Sequence, residues 1–257
     1  MHPPSTPGAP TCAIAVIAKA PRPGHVKTRL HTLLTPEEAA AMGIAFLQDT
    51  LANLSAAARH APIAPYVAYA PAGHEARFDG LLPPEATLIL ADGTNGDAPG
   101  VQGFGRVLLH TTRALFARGH AAVCVLGADS PTLPTAELVR AATILLARHT
   151  PAVLGPADDG GYWLLGLTEP RPEPFAGITW SSNAAAAETR ARCAAAGLPV
   201  AELATWHDVD DPEALARLVQ HLSAPAARHG QTPFQAPFTA ALSESLDLPA
   251  RLQAHAA

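Results

Sequence analysis

"CAIAVIAKAPRPGHVKTRL", residues 12–30, decides the fold. Its first eight residues form a short apolar run of the buried-strand type. The run stops at Lys19 and becomes a loop shaped by two prolines and Gly24, carrying Lys19, Arg22, His25, Lys27 and Arg29. Lys19 and Lys27 are the only lysines among 257 residues, every other cation being arginine or histidine. An alanine- and proline-rich composition supplies an ordinary reason for the scarcity of lysine. The position of the pair, just beyond a buried strand, suits a polyphosphate: lysine acts there as a compact charge and arginine as a bidentate fork. The competing reading is a solvated basic loop. The G-x-x-x-x-G-K-[ST] phosphate loop is absent.

Outward from this stretch, strands alternate with helices. Residues 35–59 read as a helix, with Thr35 as cap, Pro36 in the first turn, and Glu37 and Glu38 suited to the helix dipole. Strands are expected at 63–70, 86–91, 121–129, 151–157, 161–167 and 199–203. Helices are expected at 101–119 (after a glycine-bearing turn), 134–148, 183–198 (stopped by Gly197) and 210–222, with one short helix near 238–246. The pattern predicts a Rossmann-like three-layer α/β/α domain with a mostly parallel sheet over residues 12–222. It is flanked by a disordered segment at 1–11 and an extension at 223–257. Ligands of such sheets bind beyond the carboxyl ends of the strands.

The net charge is −5, with cations spread along the chain, so a nucleic-acid partner is not expected. Nor is a membrane partner, because no apolar run reaches spanning length and the first residues lack a secretory signal. Cys12, Cys124 and Cys193 have no metal or redox spacing; they read as free thiols of a cytoplasmic protein, the first two buried in strands.

Three acidic clusters follow other strands. In "LGADSPTLP", Asp129 is either a divalent-metal ligand or a helix cap, and Thr135 is the better cap candidate. In "GPADDGGYWLLGL", Asp158, Asp159, Gly160 and Gly161 read as a hairpin turn and as a substrate loop. Tyr162 and Trp163 point to opposite faces there. In "HDVDDPEAL", Asp208 and Asp210 alternate, Asp211 and Glu213 suit a helix start, and Asp210 is either the cap or a metal ligand. "TWSSN" reads as a helix entrance, and "VQGFGR" places glycines before a helix.

Taken together and in order, "IAKAPRPGHVKTRL", "LGADSPTLP", "GPADDGGYWLLGL", "ITWSS" and "DVDDPEAL" resemble a bacterial family of glycosyltransferase-A-fold proteins. Its members are labelled radical-SAM/selenodomain-associated transferases, and they are similar to the guanylyltransferases acting on 2-phospholactate and molybdopterin. The resemblance implies a transferase that takes an NTP or a sugar nucleotide and a small-molecule acceptor. By it, Lys19, Lys27 and Arg29 hold the polyphosphate, with Gln102 and Gly103 near the base. Asp129 and Asp210 hold Mg²⁺ (or Mn²⁺), and Asp158, Asp159, Gly160, Gly161 and Tyr162 line the acceptor side. Lys27 and Asp129 are the residues expected to carry catalysis. Relatives carry a longer Q-G-x-L-G-x-R-M-like stretch where this chain has "VQGFGRVLL". Nucleotidyl transfer to a phosphorylated or phosphonate acceptor stands first, because the loop is richer in cations than a diphosphate requires. Glycosyl transfer is the alternative and a non-catalytic nucleotide-binding protein the third reading; a homodimer is an expectation to which no residue is assigned.

Overall fold

In the computed structural model, which describes residues 9–223 and 230–256, a seven-stranded sheet carries helices on both faces. The strands are β1 (Cys12–Lys19), β2 (Ile63–Ala70), β3 (Thr87–Leu90), β4 (Ala122–Gly127), β5 (Ala152–Pro156), β6 (Tyr162–Leu167) and β7 (Val200–Glu202). Their order across the sheet is β3-β2-β1-β4-β6-β5-β7. All pairings are parallel except those of β6, which runs against both β4 and β5. The α/β fold with a mostly parallel sheet is thus the one its sequence predicts. Expected disorder at 1–11 concerns, for residues 1–8, a part outside the described residues.

Seven helices accompany the strands among the described residues: α1 (Pro36–Ala58), α2 (Phe104–Phe116), α3 (Thr135–Leu146), α4 (Ala185–Ala195), α5 (Pro212–Ser223), α6 (Pro237–Ser245) and α7 (Leu248–Ala256). The alternation of strand side chains sorts the core into two layers. Cys12, Ile14 and Val16 of β1, with Cys124 and Leu126 of β4, face α1 (Leu47, Leu51, Leu54) and α3 (Leu138, Leu145). Ala13 and Ala15, with Val123 and Val125, face α2 through Leu115, Leu108 and Leu109. Tyr162 joins the α2 layer and Trp163 the α1 layer, on opposite faces as anticipated. Cys12 and Cys124 are buried free thiols, their sulfurs 3.8 Å apart.

Local signals in the sequence have concrete partners. Thr35 and Glu38 form a full capping box at α1. Gly197, at φ 67°, ends α4. Thr135 does not cap α3, correcting the expectation: Pro134 holds the cap position, and the Thr135 hydroxyl donates to Asn53 Oδ1 at 2.6 Å.

The extension differs from its reading too, since it holds two helices rather than one. Helix α6 packs on the outer face of α1, and α7 packs on α5 and α6. Leu30, Met42, Phe46, Leu215, Leu218 and Leu248 form a second apolar cluster there. The Asp49 carboxylate, buried on α1, accepts from Phe238 N (3.0 Å), Thr239 N (2.8 Å) and the Thr239 hydroxyl (2.5 Å). It therefore caps a helix 190 residues away in sequence. Burial pushes the Asp49 carboxyl above its ordinary range, against these hydrogen bonds.

Replacing Asp49 by Ala leaves those donors unpaired in the interior, and a loss of about 1–3 kcal/mol is expected. Urea unfolding measures the loss, and hydrogen exchange should lose protection over 237–245. Unchanged protection there would refute the capping role.

Candidate active site

From β1 the chain steps one way to β2 and β3, then crosses to β4 on the other side of β1. The carboxyl ends of β1 and β4 therefore part their loops at the centre of the sheet, where α/β folds open a binding crevice. A cavity of about 580 Å³ lies there. Lys19, His25 and Arg29 line one side, Lys27, Asp129 and Asp210 the floor, and Asp159, Tyr162, Trp180 and Asp208 the far side.

Lys27 holds the floor together. Its ammonium lies 2.6 Å from Asp129 Oδ1, 3.0 Å from Asp210 Oδ1 and 2.7 Å from the Val209 carbonyl. Its side chain is only 8% exposed, and Nζ lies 5.1 Å from the centroid of the Phe46 ring. The backbone at Lys27 is left-handed (φ 48°), an uncommon conformation for a side-chain-bearing residue and one that clusters at functional sites. Burial alone would lower the lysine's pKa, but the Asp129 and Asp210 carboxylates outweigh it and hold it above the ordinary value.

Neighbouring contacts fix the acids. Val209 N donates to Asp129 O at 2.8 Å, tying the two acidic loops backbone to backbone. Asn53 Nδ2 donates to Leu133 O at 2.6 Å, and Phe234 N of the extension donates to Thr132 O at 3.0 Å, so α1 and the extension both hold the loop after β4. Asp211, not Asp210, caps α5 by accepting from Ala214 N at 2.8 Å. Asp210 is thereby left to face the cavity.

The remaining cations are looser. Lys19 is exposed at the end of β1. Arg29 is 66% exposed and reaches Asp210 Oδ2 at 3.7 Å. On the far side Asp159 and Asp208 form no ion pair with any of the described residues. Asp208 is pushed up to about 6, first by burial and then by Asp159, Asp210 and Asp129. Asp159 is exposed and accepts from Gly161 N at 2.7 Å within the β5–β6 turn.

Not every residue singled out by sequence meets the cavity. Lys19, Lys27, Arg29, Asp129, Asp159, Gly161, Tyr162 and Asp210 line it, whereas Gln102, Gly103, Asp158 and Gly160 do not. Gly160 has a packing task instead. It sits at φ 88°, its carbonyl accepts from Ala186 N, and a Cβ would enter the Asn183 carbonyl. Gly103, at φ 53°, turns the chain into α2.

Two aromatic residues escaped the sequence reading. Phe104, 45% exposed, meets Trp180 edge to face at 5.4 Å between centroids, and Tyr162 meets Trp180 at 6.3 Å. The three rings wall one side of the cavity. An available signal was the scarcity of tryptophan, three in the chain, one of them in the polar turn "TWSS".

Asp208 gives a pH prediction. An acid whose native pKa lies near 6 keeps its proton in the folded state after the unfolded chain, at the ordinary 3.8, has lost it. Its contribution to stability is full below the unfolded value and is lost as pH rises through the native one. Without added divalent ions, Asp208→Asn should raise the unfolding temperature at pH 7 and leave it unchanged near pH 3.5. A gain of about 2–4 °C per kcal/mol is expected at this size. An equal effect at both pH values would contradict the repulsion.

Among solved structures, the chain is similar to a candidate nucleotide-diphospho-sugar transferase from Desulfovibrio desulfuricans G20. Identity is 26% over 96% of this chain and 99% of that one, with a TM-score of 0.78. It shares its fold at 12% identity with a cytidylyltransferase from Leptospira borgpetersenii (TM-score 0.51, 95% of this chain and 98% of that one). CMP:2-keto-3-deoxy-manno-octonic acid synthetase, solved with CTP, is alike at 12% identity (TM-score 0.51, 84% and 100%). No curated protein matches the sequence. No helix among the described residues is long and apolar enough to cross a membrane. Residues 51–182, just over half of the chain, match the family model described as uncharacterised protein conserved in bacteria, DUF2064, and the chain belongs to that family.

Proposed function

We propose that the protein is a metal-assisted glycosyltransferase that takes a sugar nucleotide and passes the sugar to a hydroxyl-bearing acceptor. The observation that carries this reading is the division of charge across the cavity. Cations stand on the β1 loop, while the far side offers carboxylates, Ser181, Ser182 and three aromatic rings. A phosphorylated or phosphonate acceptor would meet Asp159 and Asp208 as like charges. A sugar or another neutral hydroxyl compound would meet a ring surface and hydrogen-bond acceptors. The resemblance to a candidate nucleotide-diphospho-sugar transferase points the same way.

The excess of cations in the β1 loop, which favours nucleotidyl transfer, is smaller in the folded protein than in the sequence. Lys27 is engaged by carboxylates, which leaves Lys19, His25 and the loosely paired Arg29 toward a phosphate. That complement suits a diphosphate. Nucleotidyl transfer remains the second reading, supported by the fold shared with two nucleotide-activating enzymes.

The donor set fits a divalent cation in part. Asp129 and Asp210 already share one cation, the Lys27 ammonium, and among the described residues no three His, Cys, Asp or Glu side chains form a closed metal set. Two carboxylates with the remaining positions left to phosphate oxygens and water suit Mg²⁺ or Mn²⁺. Such an ion would supply charge neutralisation at the departing diphosphate.

The chain's own groups would do the rest. Lys19 and Arg29 orient the diphosphate, and the rings hold the acceptor against the sugar. The acceptor oxygen forms its bond to the anomeric carbon as the bond to the diphosphate breaks; the diphosphate leaves with the electron pair. The acceptor's proton passes to a carboxylate, and Asp208, near 6, is tuned for it.

The test is product identity. With Mg²⁺ or Mn²⁺, a panel of sugar nucleotides and hydroxyl acceptors should yield free nucleoside diphosphate. Asp129→Asn should lower that turnover by about 10²-fold or more. Pyrophosphate release from NTPs, with no nucleoside diphosphate from any sugar nucleotide, would install the second reading. Phe104→Ala should raise the acceptor KM several-fold and leave nucleotide affinity unchanged; the opposite pattern would move the rings to the nucleotide side.

A further inference from the structure

A lysine ammonium has three N–H donors and no acceptor. At Lys27 all three have a near partner: Asp129 Oδ1, Asp210 Oδ1 and the Val209 carbonyl. No donor is left over for a phosphate. The stem is buried, Phe46 lies beneath, and the backbone is held left-handed. The two acids themselves are 44% and 43% exposed, so they are open to the cavity on the side away from the lysine. The arrangement is that of a cation seated between two carboxylates, and the cation is part of the chain.

From this we infer that Lys27 is the resident counter-ion of the Asp129–Asp210 pair, and that a divalent ion enters the pair only when a polyphosphate takes over the ammonium. This deepens the reading of a metal-assisted transferase and rests on it for the second half of the statement. Two cations cannot share these oxygens at 2.6–3.0 Å without strong repulsion. The incoming polyphosphate offers the ammonium an equivalent charge, so the exchange conserves the number of charge-assisted contacts. Linkage makes the effect mutual: metal and polyphosphate each raise the affinity for the other, through Lys27. In the ligand-free protein the lysine is a positioning residue. It holds the two acids together through its own contacts and spares them mutual repulsion.

The test uses the full chain and Mn²⁺ alone, followed by electron paramagnetic resonance of the free ion. Lys27→Met keeps the stem over Phe46 and removes the charge. It should bind Mn²⁺ alone at least about tenfold more tightly than the wild type, because the resident cation is gone. In the wild type, magnesium tripolyphosphate should bind by calorimetry with mutual enhancement of the two components, and the variant should lose most of that enhancement. Equal or weaker Mn²⁺ binding by Lys27→Met would overturn the inference. So would tight binding of Mn²⁺ alone by the wild type that Asp129→Asn abolishes, a measurement that stands even if the methionine variant fails to fold. If the variant gains Mn²⁺ affinity but the wild type binds no magnesium tripolyphosphate, the counter-ion role holds and the polyphosphate exchange and transferase reading fail.

Discussion

One buried ammonium joins three parts of the chain that are otherwise far apart in sequence. Lys27 comes from the loop after β1, Asp129 from the loop after β4, and Val209 with Asp210 from the segment before α5. Without that cation, two carboxylates would face each other at the end of the sheet beside a third, Asp208, already pushed up by burial and then by its acidic neighbours. Burying an unpaired charge is costly, and removing one partner of such a group leaves the others uncompensated. The cavity's floor is therefore a coupled electrostatic unit that depends on its one buried cation. The surrounding hydrogen bonds, from Asn53 to Leu133 O and from Val209 to Asp129 O, keep it in register.

That unit sits where the strand order reverses, and the reversal follows from simple features of the sequence. A run such as "CAIAVIAK" has no polar side to offer water, so it lies centrally with both faces covered. Its alternating residues differ in size. Alanines face α2, and Ile14 and Val16 face α1 and α3. The single reversed strand, β6, results from a five-residue connection too short for a crossover helix, which leaves a hairpin as the solution. Its turn delivers Asp159 and Gly161 to the cavity, so the hairpin and substrate-loop readings of "DDGG" are compatible.

Much of this was legible from residue patterns. Thr35 and Glu38 announced α1, Gly197 announced the end of α4, and acids after strands announced the crevice. What remained hidden depended on contacts at long range. Thr135 looked like a cap, yet its hydroxyl is taken by Asn53, 82 positions away. Lys27 reads as a phosphate ligand from its spacing to Lys19, whereas its pairing with Asp129 and Asp210 is assembled only by the fold. Trp180 read as part of a helix entrance, and its place between Phe104 and Tyr162 follows from three separate elements. Helix α7 was missed although Pro249 suits a first turn, because its apolar anchor, Leu248, finds its partners only in the packed cluster with α1 and α5.

The capping of α6 by Asp49 has a consequence for the order in which the molecule is completed. Asp49 and the apolar outer face of α1, with Met42 and Phe46, are synthesised early, while the segment that caps onto Asp49 follows 190 residues later. Until then a nascent chain holding the finished sheet still shows a greasy stripe and a buried-type carboxylate to water. Helices α6 and α7 thus act as a closing seam: before they dock, the apolar face of α1 lacks part of its cover.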